Sequence, residues 1–122
     1  MGIMILDKPE KTARLITILK AAVPFEIKLP TKTLDRLRAH NPNIIINSSE
    51  TVFQVSYEPD HGGILCLIRT AGSDDLVATS LTNIYVHASQ PFAAAVKDYQ
   101  KHRRKKLRQR PALSNPVTAT IG

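Results

Sequence analysis

Residues 51–70 read TVFQVSYEPDHGGILCLIRT, and the period of this stretch decides the fold class. Its first seven residues alternate. This predicts a half-buried strand with Phe53, Val55 and Tyr57 on one face and Val52, Gln54 and Ser56 on the other. Its last eight, GILCLIRT, are apolar on both faces, the pattern of a strand inside a sheet. Between them, Glu58-Pro59-Asp60-His61-Gly62 supplies the residues a tight hairpin demands. An antiparallel hairpin follows, with residues 63–70 predicted as the central strand.

The same period extends in both directions. Downstream, Ala71-Gly72-Ser73-Asp74-Asp75 breaks the chain before residues 76–86 (LVATSLTNIYV). Upstream, Ser48-Ser49-Glu50 separates residues 43–47 (NIIIN) from the hairpin. Short connections join antiparallel neighbours, so residues 43–86 are predicted to form a meander of three or four strands.

Outside the meander the period becomes helical. Thr12, Leu15, Ile16, Leu19, Ala22 and Val23 share one stripe, with Lys11, Arg14 and Lys20 off it, which predicts a helix over residues 8–22. Asp7 is the expected N-cap, with Pro9 in the first turn and Glu10 completing a capping box. Pro24 stops the helix. Residues 25–29 (FEIKL) read as a short strand. Residues 32–40 read as a second helix, with Leu34 and Leu37 inward, ended by Asn41-Pro42-Asn43.

A last helix is predicted to start at Ser89-Gln90-Pro91. Phe92, Ala95, Val96 and Tyr99 form its stripe, continued at the same phase by Arg103 and by Leu107 with Lys106. The expected fold is therefore α+β: N-terminal helices, an antiparallel three- to four-stranded meander and a C-terminal basic helix at about residues 90–110. Residues 1–110 form the single domain. Residues 111–122, rich in Pro, Ser, Thr and Ala and without charge, are expected to be disordered.

Composition narrows the function classes. In 122 residues, 43% are hydrophobic, enough for a folded core, yet Trp is absent and aromatics are only 5%. The core must be aliphatic, and a platform of stacked aromatic rings for bases is not expected. The one cysteine, Cys66, lies between Leu65 and Leu67 and reads as a buried, unreactive thiol. With no disulfide and no zinc ligand set, an intracellular, cytoplasmic location is expected. The apolar segment 2–6 (GIMIL) is too short for a signal peptide or membrane span. Leu6 occupies the position where a myristoylation signal requires Ser or Thr, so an edge strand or flap is expected there.

No catalytic residue, metal site or cofactor motif is visible. Asp60-His61 and Asp74-Asp75 are explained by turn chemistry, and Gly62-Gly63 joins two strands rather than leading into a helix as a phosphate loop does. A non-enzymatic binding module is the expectation.

The charge points to where it binds. The formal net charge is +7, and residues 97–110 (KDYQKHRRKKLRQR) hold eight Lys or Arg against the single Asp98, while the remainder is balanced. A solvated surface run is the plain explanation. Against it, so many cations over about four helical turns leave every side positive, which suits phosphate. Arginine adds a planar fork for phosphate and base edges, as in the arginine-rich segments that enter RNA grooves. The predicted nucleic-acid contacts are Lys101, Arg103, Arg104, Lys105, Lys106, Arg108 and Arg110, with RNA ahead of DNA. Five phosphate contacts imply a log–log salt slope of about −3.5 on single strands and −4.5 on duplex. The alternative is an assembly subunit whose basic helix docks on an acidic protein. A membrane-lying helix fits poorly, because Leu107 is the only apolar residue beyond Tyr99. Homo-oligomerisation is left open.

Overall fold

Four strands pair antiparallel in chain order, β1 (Phe25–Lys28), β2 (Ser49–Glu58), β3 (Gly63–Arg69) and β4 (Leu76–Ser80), so the sheet order is β1-β2-β3-β4. Three helices complete the α+β fold: α1 (Pro9–Ala22), α2 (Thr31–His40) and α3 (Ala93–Arg108). The computed structural model describes residues 7–70 and 74–108. The N-terminal segment 2–6, the loop residues 71–73 and the tail from residue 109 onward lie outside the described residues.

The sheet faces the helices with Val52, Val55, Ile64, Cys66, Ile68 and Val77, all buried. They pack in one cluster with Leu15 and Leu19 of α1 and Val96 and Tyr99 of α3. Phe25 and Phe92 meet edge to face with ring centroids 5.0 Å apart, tying β1 to the approach to α3. Cys66 is fully buried, and burial pushes its thiol pKa up to about 12, so at neutral pH it is a small apolar core residue.

Several local expectations are corrected. Residues 43–47 are not a strand, because their backbone is engaged elsewhere. Ile44 N–H closes a turn on the Asn41 carbonyl, Asn47 N–H donates to Glu50 Oε2, and the Ile46 carbonyl accepts from Arg38 Nε and Nη2 at 3.0 and 2.8 Å. Ile46 is buried and Ile45 exposed. The fourth strand is β1, with α2 inserted before its partner β2. Both β2 and β3 are interior to the sheet.

The alternation in β2 is broken by a register shift between Val52 and Gln54. The shift turns Val52 inward beside Val55 and leaves Phe53 on the open face, where the Arg69 guanidinium lies 5.3 Å from its ring centroid. The last strand ends at Ser80 rather than running to Val86. The Ser80 hydroxyl accepts from Thr82 N–H and donates to the Gly62 carbonyl, and a 3-10 turn (Leu81–Asn83) follows. Tyr85 then exchanges two backbone hydrogen bonds with Lys28, both 2.9 Å, covering the outer edge of β1.

Asp7 does not cap α1. Lys8 occupies the N-cap without a side-chain bond, and the Asp7 carboxylate turns into the protein.

Candidate functional site

The helix α3 is fastened by polar bonds along its inner face. Val96, Tyr99, Gln100 and Arg103 are buried there at the i, i+3, i+4, i+7 spacing of one helical face. The Tyr99 hydroxyl accepts from Ile64 N–H at 2.9 Å. Gln100 donates its amide to the carbonyls of Leu81 and Ile84 at 2.7 and 2.8 Å. One turn further, Arg103 is 4% exposed and pairs with Asp7 through Nη1 and Oδ2 at 2.7 Å. Its Nη2 donates to the Pro59 carbonyl, and the Tyr57 hydroxyl donates to the same Asp7 oxygen. Each end of the ion pair is thus bound by a neighbour from the β2–β3 hairpin, which offsets part of the desolvation that burying two charges costs.

Gly63 makes this fastening possible. It has φ +74°, and a Cβ built there would land against the Tyr99 hydroxyl and 2.7 Å from Arg103 Nη1. Only glycine supplies both the left-handed backbone and the empty space.

Burial raises the pKa of both tyrosines. For Tyr57 the hydrogen bond to Asp7 and its negative charge add to the effect, and for Tyr99 the backbone bond from Ile64 opposes it. The raised groups Tyr57, Tyr99 and Cys66 are protonated in both states at neutral pH, and in the unfolded chain the thiol begins to ionise above about pH 8. Above it the unfolded chain releases protons that the folded chain retains, so stability falls. Urea midpoints are expected to hold from pH 7 to about 8 and to drop steadily from about pH 8.5 toward 12. Cys66→Ala should remove part of that slope.

The predicted contact residues divide into three groups. Arg103 is buried and paired with Asp7, which withdraws it from the exposed set. Arg110 lies outside the described residues. Lys101, Arg104, Lys105, Lys106 and Arg108 are exposed, as is Lys97. Lys97, Lys101, Arg104 and Arg108 follow the i, i+4, i+7, i+11 progression of a single stripe, about 16 Å long at 1.5 Å per residue. Arg104, though exposed, is held in place by donating Nη2 to the Thr82 carbonyl at 2.5 Å. The protein shows no match to any protein-family model, curated protein or solved structure.

The other side of α3 meets α1 across a groove of about 580 Å³ that the sequence did not reveal. Lys8 at the N-cap of α1, and Lys11 and Arg14 within it, line it together with Lys101, His102 and Lys105. The off-stripe positions of Lys11 and Arg14 were visible in the periodicity, but the side of α1 that would face α3 was not.

The remaining candidates for chemistry are dispersed. His61 is exposed in the hairpin turn, where its N–H closes on the Glu58 carbonyl. His40 Nδ1 lies 2.8 Å from the Arg36 carbonyl, and His87 Nδ1 lies 2.8 Å from Ser89 Oγ. Among the described residues no three His, Cys, Asp or Glu converge to hold a metal ion, and no helix is long and apolar enough to cross a membrane.

Proposed function

We propose that this protein is a small nucleic-acid-binding module, RNA ahead of DNA, that contacts phosphates through the outer face of α3. The supporting observation is the exposed stripe of Lys97, Lys101, Arg104 and Arg108 on a helix whose adjoining inner face is fastened to the body by Tyr99, Gln100 and Arg103. A solubilising charge run has no need of such fastening. A site that engages a phosphate backbone gains from it, because a preorganised helix has less ordering entropy to lose on binding. Lys105 lies beside Lys101 toward the groove with α1, and Lys106 lies in phase with Tyr99, so neither belongs to the stripe. Phosphate contacts position without reading sequence, so low sequence selectivity follows.

The reading is tested by fluorescence anisotropy with a labelled RNA hairpin and a DNA duplex of equal length. Four phosphate contacts give a log–log salt slope of about −2.8 on single strands and about −3.6 on duplex. Converting Lys97, Lys101, Arg104 and Arg108 together to Gln should abolish binding while circular dichroism stays unchanged, and undiminished binding contradicts the proposal. A partner that stays bound after nuclease treatment and proves to be one stoichiometric acidic protein would replace nucleic acid as the ligand of this face.

A further inference from the structure

The groove between α1 and α3 is polarised along its length. The two helices run antiparallel across it. Asp7, just before α1, pairs with Arg103 near the end of α3, while Ile18 near the end of α1 shares a neighbouring hollow with Pro91 and Phe92, just before α3. Exposed Lys8 and Lys11 therefore face the end of α3 that carries Lys101 and Lys105, and all four line that end of the groove. The N-terminus of α1 adds its partial positive charge there. At the other end the lining is Leu15, Ile18 and Ala95, and Ile18 is 46% exposed. Arg14 and Asp98, of opposite sign, fall between the two ends along their helices.

We propose that this groove binds a single-chain anionic amphiphile, with its hydrocarbon chain over Leu15, Ile18 and Ala95 and its acidic head at the end formed by Lys8, Lys11, Lys101 and Lys105. A volume of about 580 Å³ lies in the range of small-molecule sites, and the lining, six charged residues beside Leu15, Ile18 and Ala95, is more polar than their usual composition in the way a charged head group requires. A nucleic acid or an acidic helix carries charge along its whole length and would desolvate anions against Leu15 and Ile18. A molecule with one charged end matches both ends of the groove at once. The site goes beyond the phosphate-binding stripe, with which it shares Lys101 alone.

The experiment is isothermal titration calorimetry on the full chain with dodecanoate and dodecyl phosphate, both below their micelle-forming concentrations. The controls are dodecyltrimethylammonium and butyrate. A carboxylate or a phosphate head binding one to one supports the proposal, with each control at least about tenfold weaker. Ile18→Gln, at an exposed position that leaves the fold intact, should weaken the anionic amphiphile by about tenfold. Lys11→Glu with Lys105→Glu should abolish the preference for an anionic head. Arg104→Gln with Arg108→Gln should leave amphiphile binding unchanged while weakening nucleic acid, so the two readings fail separately. The proposal is overturned if the cationic amphiphile binds as tightly, if Ile18→Gln has no effect, or if neither anionic probe binds.

Discussion

Replacing Arg103 with Ala should destabilise the protein by about 3–5 kcal/mol, the largest effect expected of any cation in the basic run. The substitution leaves the Asp7 carboxylate buried with one hydroxyl donor, Tyr57, and removes the guanidinium that bridges α3 to the Pro59 carbonyl. Arg108→Ala, on the exposed face of the same helix, should stay within about 0.5 kcal/mol of the parent. Asp7→Ala should cost nearly as much as Arg103→Ala. The double variant should cost much less than the two together, because each single change strands the other charge. Urea denaturation of the four proteins measures this. Equal small losses for Arg103→Ala and Arg108→Ala would mean that the buried pair does not hold α3.

Gly63→Ala should cost about 2–5 kcal/mol, combining a left-handed backbone imposed on a residue with a Cβ and the displacement of Tyr99 and Arg103. Its neighbour provides the comparison. Gly62 has φ +106°, yet a Cβ there meets the flexible end of the Leu65 side chain at 3.0 Å, so Gly62→Ala bears mainly the backbone strain, about 1–2 kcal/mol. Because Gly63 sits under the fastening of α3, its substitution should also lower the helical signal beyond Tyr99. A loss at Gly63 no greater than at Gly62 would contradict the packing described.

Wherever apolar periodicity is complete, the sequence was a good guide to the fold. The stripe from Thr12 to Leu19 and the hairpin around Gly62-Gly63 both form as their patterns require. The misreadings occur where side chains take over backbone hydrogen bonds. Residues 43–47 have the composition of a strand, but Arg38 and Glu50 occupy their polar groups, and a distant guanidinium leaves no local trace. Ser80 ends β4 through its own hydroxyl, inside a run that looks continuous. Asp7 looked like a helix cap because capping is a local property. Its partner Arg103 lies 96 residues away.

The candidate site was legible in the same uneven way. Charge density picked out α3, and Arg103 already shared the phase of Phe92, Val96 and Tyr99, the sign that it belonged to the buried face. That face leaves Lys97, Lys101, Arg104 and Arg108 on an exposed flank about a third of a turn away. The cations of α1 were hidden, because a balanced total elsewhere in the chain conceals Lys8, Lys11 and Arg14 gathered beside α3. Net charge by segment is one-dimensional, and the groove is built by two segments that meet only after folding.

The central claim is that α3 is one helix with a structural inner face and a phosphate-binding outer face. The salt dependence of RNA-hairpin binding tests it most directly, measured for the parent and for Arg104→Gln with Arg108→Gln. Losing two phosphate contacts should reduce the magnitude of the log–log slope by about 1.4 to 1.8 with the fold retained, stability falling only by about 1 kcal/mol for the lost Arg104 bond to the Thr82 carbonyl. An unchanged slope, or a parent protein whose affinity does not respond to salt, would contradict the account.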